Sequence, residues 1–157
     1  MKPELEEVIK QYSRNIYLTA YAVTGCRQDA EDVLQETLIA YAASGKDYDS
    51  MDHVRAWLLR TASNKALNVR RSFWNRNRTD MEEYMTESRE NGSTSVLHAV
   101  SRLNPGQAQA VHLYYYEGYS VREIAGILRI PEGTVKSRLA LARKQLKKIL
   151  QEEWENE

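Results

Sequence analysis

The chain is poor in the residues that cross-link or interrupt small folds, with seven glycines, three prolines and a single cysteine in 157 residues. One cysteine, Cys26, can form neither an internal disulfide nor a cysteine-based metal site. We interpret it as a small buried hydrophobic residue in a reducing compartment. The sequence also has no apolar run as long as a membrane span and no signal-peptide pattern at its N-terminus. We therefore expect a cytoplasmic protein that reaches a membrane only through a partner.

Strong helix formers make up most of the chain. Ala, Leu, Glu, Arg, Lys and Gln dominate, and no alternating apolar pattern of the kind that marks a β-strand persists. The apolar share of 42% is enough for a packed core. Half of a chain this short buries little surface, so each of two domains would be only marginally stable alone. The composition predicts an all-α fold, and length alone leaves one or two domains open.

A formal net charge of zero conceals strong charge segregation along the chain. Residues 53–79 carry seven Lys/Arg and no Asp/Glu, and residues 129–148 carry seven Lys/Arg against one acid. Residues 1–52 and 80–94 are acidic, with net charges of −5 and −4. One basic block alone is typical of a solvated helix face. Two such blocks, each on a predicted long helix, indicate phosphate-binding surfaces.

Helical periodicity and stop signals divide the chain into two groups of helices. The first group has predicted helices from Pro3 to Gly25, over 29–43 and over 53–72. The second group has predicted helices over 96–103, 105–116, 120–128 and from 131 to beyond 149. Between the groups the apolar pattern fails, which is typical of a linker. We predict domains over residues 1–75 and 95–152, joined by a flexible linker over residues 76–94.

The segment from Ser120 to Leu139 matches the helix-turn-helix pattern. Ser120 and Glu123 form a predicted capping box, in which each side chain bonds the other residue's free backbone N–H. Ala125 is small enough for the second helix to cross the first at short distance, and Val135 fills the wedge between them. The first turns of the second helix would enter a major groove of duplex DNA. An ordinary helical hairpin in a core is the alternative, but it does not require a polar recognition face.

Arg129 departs from the usual pattern at the turn of this motif. The turn often takes a positive φ, and glycine usually stands there. A non-glycine residue in that conformation costs about 1 kcal/mol. We expect the motif to tolerate this cost.

Three segments, in order, resemble the sigma-70 family, and in particular its extracytoplasmic-function group (group IV). Residues 29–37 (DAEDVLQET) resemble the polymerase-binding helix of region two, residues 55–71 resemble its promoter-melting helix, and residues 114–146 resemble region four. The resemblance implies two small helical domains, a region-two bundle of three to four helices and a region four with a helix-turn-helix. It implies an alternative sigma factor that binds core RNA polymerase and directs promoter recognition, DNA melting and transcription initiation. We expect no regions one and three in a chain of this length.

The resemblance assigns polymerase binding to the second helix. In the family this face docks on the clamp helices of the largest polymerase subunit, and the flap is a further expected contact. Acids around one leucine suit a basic groove in the partner. A metal site is the alternative, but acids on a continuous helix without a histidine do not favour it. The implied residues are Asp29, Asp32, Leu34, Gln35 and Glu36, of which the four polar ones share a helix face.

The resemblance also implies that the third helix tracks the −10 element as it becomes single-stranded. Arg and Lys hold phosphates, and Asn bonds an exposed base edge. The preceding loop resembles the family's specificity loop, which captures a flipped base. Trp57 falls on the apolar face and is interpreted as core rather than as a melting wedge, whereas Phe73 and Trp74 fit either base stacking or capping of the domain. The −10 candidates are Lys46, Tyr48, Arg55, Arg60, Asn64, Lys65, Asn68, Arg70 and Arg71.

Region four is implied to meet the −35 element as duplex DNA. Two weak domains on one promoter make binding bivalent, so the free chain need not bind DNA tightly. The family commonly pairs with an anti-sigma factor, often membrane-anchored, and we expect such a partner here. The resemblance implies no cofactor, metal or catalytic residue. The −35 candidates are Arg122, Thr134, Lys136, Ser137, Arg138 and Arg143.

Three other functions fit parts of the sequence. A conventional helix-turn-helix regulator would act on palindromic DNA without core polymerase, but the N-terminal half lacks a ligand-domain pattern and has its own basic helix. A small enzyme would need a nucleophile–base pair, a glycine-rich phosphate loop or metal-ligand spacing. None is found, and His53, His98 and His112 are scattered. A helical protein that sequesters a sigma factor does not need basic side chains on a recognition helix.

Overall fold

The computed structural model describes residues 1–76 and 95–155, with side chains except at 73–76, 95, 153 and 154. Within these ranges the chain is helical and contains no β-strand, which agrees with the predicted all-α fold. The N-terminal bundle comprises α1 (Leu5–Thr24), α2 (Arg27–Ala43) and α3 (Met51–Arg76). The C-terminal bundle comprises α4 (Ser95–Ser101), α5 (Pro105–Val111), a π-helical turn (His112–Tyr116), α6 (Val121–Leu128) and α7 (Glu132–Glu155).

The three helices of the N-terminal bundle close around an apolar core. Val8, Ile16, Val33 and Leu58 are fully buried in it. Gly25 ends α1 in the left-handed conformation (φ 65°), as its place after the last apolar residue predicted. The third helix is longer than predicted, since it begins at Met51 and continues to Arg76 instead of ending near residue 72.

The C-terminal bundle contains the predicted helix-turn-helix. The Ser120 hydroxyl accepts from Glu123 N–H at 3.1 Å, and the Glu123 carboxylate accepts from Ser120 N–H at 3.0 Å. These two bonds confirm the capping box. Arg129 has φ 56° and ψ 50°, the strained left-handed turn conformation that the motif predicted. The helix predicted over 105–116 changes from α to π hydrogen bonding at His112, which the sequence did not indicate.

The two bundles pack directly against each other. Helix α1 contacts α4 and α5, and α3 contacts α6. Ala22 and Leu59 of the N-terminal bundle are fully buried within the apolar cluster of the C-terminal bundle. Leu97 touches the cores of both bundles. The predicted linker lies outside the described residues, except for residue 76, which belongs to α3.

Candidate nucleic-acid interface

Helix α2 exposes an acidic face on one side of the helix. Its opposite side is buried through Ala30, Val33, Thr37 and Tyr41. On the outer side Asp32, Gln35 and Glu36 are exposed, while Asp29 and Leu34 are half-buried. The four polar residues among the predicted polymerase-binding set therefore lie on one side of the helix, whereas Leu34 packs against the core of the bundle.

Sequence reasoning missed Ile39, which extends this acidic face by one turn. Its side chain is 66% exposed, a high value for an aliphatic residue. The signal was available, since Ile39 lies seven positions after Asp32 and three after Glu36, on the same helix face. An exposed aliphatic side chain among acids gives the acidic face an apolar contact point.

The loop before α3 differs from the expectation in one respect. Lys46 is exposed, as a phosphate contact requires. Tyr48 is 2% exposed and belongs to the core, where its ring stacks on Tyr41 at 5.8 Å between centroids and meets Trp57 edge-on at 6.2 Å. The ring of Tyr48 is therefore packed in the core and is not presented to a flipped base in this conformation. Trp57 packs in the core, as predicted.

A basic cleft of about 440 Å³ runs along α3. It joins four cations, Lys46, Arg60, Lys65 and Arg129. Among the described residues that line it there is no carboxylate. Burial and the nearby Arg129 lower the pKa of Arg60. The remaining lining residues are Trp57, Thr61, Asn64 and Asn68.

This basic cleft contains most of the predicted −10 surface. Five of the predicted −10 residues line it: Lys46, Arg60, Asn64, Lys65 and Asn68. Arg71 is exposed further along α3. Cations, amides and one indole in a groove are the combination that single-stranded nucleic acid requires. Arg129 was not predicted here, because its approach depends on how the bundles pack.

Arg55 and Arg70, two of the predicted −10 residues, do not line this cleft. The Arg55 guanidinium donates to the Glu117 carboxylate at 2.7 Å and to the Glu117 carbonyl at 2.6 Å. It also lies over the Tyr119 ring, 4.6 Å from the centroid. Arg70 donates to the carbonyls of Val23 at 2.8 Å and Ser101 at 2.6 Å. Both side chains therefore form hydrogen bonds at the contact between the bundles.

Glu117 is the buried centre of that contact, and sequence reasoning interpreted it only as a helix end. Its side chain is 1% exposed. Asn15 donates to both carboxylate oxygens, at 3.0 and 3.2 Å, and His112 Nε2 lies 3.6 Å away. Burial raises the pKa of Glu117, but His112, Arg55 and Asn15 together outweigh it and hold the pKa below its usual value.

The second helix of the helix-turn-helix exposes polar side chains over its first turns. Lys136 and Ser137 are exposed and Thr134 is half-buried, while Arg122 is exposed on α6. The Arg138 guanidinium lies over the start of α5, close to Gly106. Arg143 donates to the Tyr115 hydroxyl at 3.0 Å. All six predicted −35 residues thus lie at or near the surface, and Arg138 and Arg143 also touch their own bundle.

An apolar groove of about 1040 Å³ separates α1 from α7. Leu18, Tyr21, Val100 and Leu146 are among its lining residues. Four cations stand among the lining residues as well: Arg14, Arg27, Arg143 and Lys147. Tyr115 and Tyr116 are 56% and 50% exposed beside it. Sequence reasoning missed this groove because it forms only when the two bundles pack.

Among the described residues no group of three or more His, Cys, Asp or Glu side chains is placed to hold a metal ion. Cys26 is half-buried rather than buried, because it precedes α2 near the surface. None of the described helices is long and apolar enough to cross a membrane.

Comparison with known proteins identifies both halves of the chain. The family models "Sigma-70 region 2" and "Sigma-70, region 4" match residues 8–76 and 93–146. The ECF RNA polymerase sigma factor SigL of Mycobacterium tuberculosis is 34% identical over 152 residues, covering 90% of this chain and 86% of SigL. SigM of Bacillus subtilis is 26% identical over 155 residues, covering 92% of this chain and 94% of SigM.

Two solved structures share the fold. The sigma factor RpoE from Bartonella quintana, in complex with the anti-sigma factor NepR, has a TM-score of 0.65 and 23% identity, covering 93% of this chain and 96% of RpoE. CnrH, in complex with the cytosolic domain of CnrY, has a TM-score of 0.66 and 23% identity, covering 94% of this chain and 87% of CnrH.

Proposed function

Since this chain belongs to the extracytoplasmic-function sigma factors of the sigma-70 family, we propose that its two bundles divide the promoter between them. As an alternative sigma factor it binds core RNA polymerase and directs promoter recognition, DNA melting and transcription initiation. We assign residues 1–75 to polymerase and −10 binding and residues 95–152 to −35 binding, with 76–94 as the linker. The order of an acidic face, a basic cleft and a helix-turn-helix along one chain carries this proposal.

The acidic face of α2 is proposed to dock on the clamp helices of the largest polymerase subunit. Asp32 and Glu36 attract a basic groove over a distance, which accelerates encounter. Leu34 and Ile39 supply apolar area that holds the complex once formed. The flap of the polymerase is proposed as the second contact, made by the C-terminal bundle.

The basic cleft is proposed to hold the −10 strand after melting. Lys46, Arg60 and Lys65 neutralise successive phosphates, while Asn64 and Asn68 bond unstacked base edges. Glu36 lies 3.9 Å from Lys65, a long exposed contact that a phosphate can displace.

Helix α7 is proposed to enter the major groove of the −35 element. Lys136 and Ser137 are positioned to read base edges, and Arg122 and Arg143 to fix the helix on the phosphate backbone. Thr134 and Arg138 complete this surface. Arg138 must leave Gly106 to reach DNA, and its long side chain allows that movement.

An anti-sigma factor is proposed as a further partner. The apolar groove between α1 and α7 fits an amphipathic helix. Its four cations outnumber the lining carboxylate of Glu31, which pairs with Arg27, and they favour a helix with an acidic edge. The structural relative RpoE was solved bound to an anti-sigma factor. A photo-crosslinking residue at Tyr115 should capture such a partner in cells, and capture of core polymerase alone would contradict this assignment.

The cell compartment and the absence of catalysis follow from the same role. Sigma factors are non-catalytic regulatory proteins, and we propose that this chain likewise has no catalytic activity of its own. Its partner, core RNA polymerase, acts on chromosomal DNA, so the proposed compartment is the cytoplasm.

Capture of core polymerase by the immobilised chain tests the proposal. Asp32→Arg reverses a charge at the centre of the acidic face and should weaken capture roughly tenfold, which corresponds to about 1.4 kcal/mol. Glu152→Arg makes the same change on an exposed part of α7 and should bind as the unmodified chain does. Equal binding by both variants would show that α2 is not the docking face. No capture of polymerase by the unmodified chain would contradict the sigma function itself.

A further inference from the structure

The contact between the bundles follows one face of α3. Arg55, Leu59, Ser63 and Arg70 recur at intervals of four, four and seven residues, which places them along a single stripe of the helix. Each touches the C-terminal bundle: Leu59 lies in its apolar cluster, and the Ser63 carbonyl accepts from the Gln109 amide at 2.9 Å. The basic cleft occupies the neighbouring face of the same helix. The C-terminal bundle therefore lies directly beside the proposed −10 surface.

Glu117 is the charged centre of this contact. A carboxylate removed from water is costly unless charged and hydrogen-bonding partners surround it. Here Arg55 comes from α3, Asn15 from α1 and His112 from the π-helical turn. His112 itself lies 3.1 Å from the Thr19 hydroxyl of α1. Separating the bundles would remove two of the three partners of Glu117, Arg55 and Asn15, so the carboxylate keeps its full set of partners only in the closed arrangement.

The closed arrangement withholds two arginines from nucleic acid. The guanidinium of Arg55 already bonds a carboxylate and a carbonyl, and that of Arg70 bonds carbonyls from both bundles. A phosphate that approached either side chain would have to replace these bonds. Arg129 also stands at the basic cleft only while the bundles are closed.

We propose that the free chain is autoinhibited by a closed interdomain contact in which Glu117 locks the two bundles together and masks Arg55 and Arg70. The masking rests on the proposed function, whereas the closure itself does not. Binding to core polymerase then requires that the Glu117 contact break, which exposes both arginines and frees the helix-turn-helix from α3. Glu117 acts through Arg55 and is a positioning residue for the −10 surface.

The closure is tested by a spin-label distance measurement on the full chain. Labels are attached at Lys10→Cys on α1 and Gln145→Cys on α7, both exposed, with Cys26 replaced by serine. The unmodified chain should give one narrow distance. Glu117→Gln removes the charge that pairs with Arg55 and should raise the population of longer distances at least about tenfold. Glu123→Gln is the matched control, since the exposed Glu123 bonds only within the capping box, which glutamine also forms.

A second variant keeps the test decisive if Glu117→Gln unfolds. Asn15→Ala removes one neutral hydrogen-bond donor to Glu117 and should open the chain in the same direction to a smaller extent. Circular dichroism reports whether each variant keeps its helices. If both variants remain folded with the narrow distance of the unmodified chain, Glu117 does not hold the bundles together and the proposal is wrong.

The masking is tested with a labelled single-stranded oligonucleotide of mixed sequence, read by fluorescence anisotropy. The Glu117→Gln chain should bind at least about threefold more tightly than the unmodified chain, and Glu123→Gln should not change binding. Opening without tighter binding would overturn the masking. These outcomes are separate from those for the proposed function: failure to capture polymerase with intact closure would contradict the sigma role, and normal capture without closure would contradict only the autoinhibition.

Discussion

Single residues set the local geometry on which the interface depends, and Arg129 shows this most directly. Its left-handed backbone conformation (φ 56°) connects the two helices of the helix-turn-helix. The same residue brings a cation to the basic cleft, where it lies near Arg60. A glycine would satisfy the backbone better but would leave the cleft without this charge. Backbone strain at Arg129 is therefore found at a position where the side chain contributes to the charged surface of the basic cleft.

Replacing Arg129 separates these two effects. Arg129→Gly should stabilise the chain by about 0.5–1 kcal/mol, because the relief of left-handed strain exceeds the greater flexibility of glycine in the unfolded state. Arg129→Ala removes the charge but keeps Cβ, and it should give no comparable gain. Urea denaturation measures both. An equal gain from alanine would show that charge repulsion with Arg60, and not backbone strain, is what the substitution relieves.

Individual helices were largely predictable because their start and stop signals are local. The capping box at Ser120 and the end of α1 at Gly25 depend on a few neighbouring residues, and both were predicted correctly. The π-helical turn at His112–Tyr116 was not predicted, because nothing in three consecutive tyrosines distinguishes π from α hydrogen bonding. The burial of Tyr48 was also missed, because the ring's contacts come from Tyr41 and Trp57, which lie on other elements.

The capping box makes a prediction for helix α6. Ser120→Ala leaves the Glu123 backbone N–H without its acceptor and should cost about 1 kcal/mol. For a chain of this size that loss lowers the Tm by roughly 2–4 °C. Glu123→Gln keeps a side-chain acceptor for the Ser120 N–H and should have a smaller effect. A scanning calorimetry experiment compares the two, and an unchanged Tm for Ser120→Ala would mean that the cap does not stabilise α6.

At the scale of the whole molecule, sequence reasoning predicted two helical bundles but not how they meet. Arg55 and Glu117 are 62 positions apart, and each was interpreted from its own helix alone. A basic residue on α3 was expected to face DNA, and a Glu-Gly pair was expected only to end a helix. Their pairing depends on the packing of α1 and α3 against the C-terminal bundle, which no local pattern contains. The basic cleft and the apolar groove escaped prediction in the same way.

The interdomain contact should weaken in acid. The pKa of Glu117 is lowered in the folded chain, so its stabilising contribution is fully present above its ordinary pKa of about 4.5. That contribution is lost as the pH falls through the lower folded value. Arg55 and His112 face Glu117 from α3 and the π-helical turn, and Arg55 keeps its charge throughout. The population of longer distances in the labelled chain should therefore rise at low pH, whereas in Glu117→Gln it should already be raised at neutral pH and change little.

The capping-box carboxylate also has a lowered pKa, because the Ser120 N–H and hydroxyl bond it. Glu123 therefore contributes to acid sensitivity with the same sign, though it is exposed and its effect on distance should be small. Comparing the pH profiles of Glu123→Gln and Glu117→Gln separates the contribution of the interdomain contact to acid-induced opening from that of the capping box. An acid transition that persists in Glu117→Gln would assign the opening to another group.

Run-off transcription with the chain and bacterial core RNA polymerase on fragments of the source genome tests the sigma assignment most directly. We expect start sites that core polymerase alone does not use, and these should share two upstream elements at a fixed spacing. A contradictory result would be no new start site, together with a gel shift of palindromic duplex DNA by the chain alone. That result would indicate a conventional helix-turn-helix regulator that acts without polymerase.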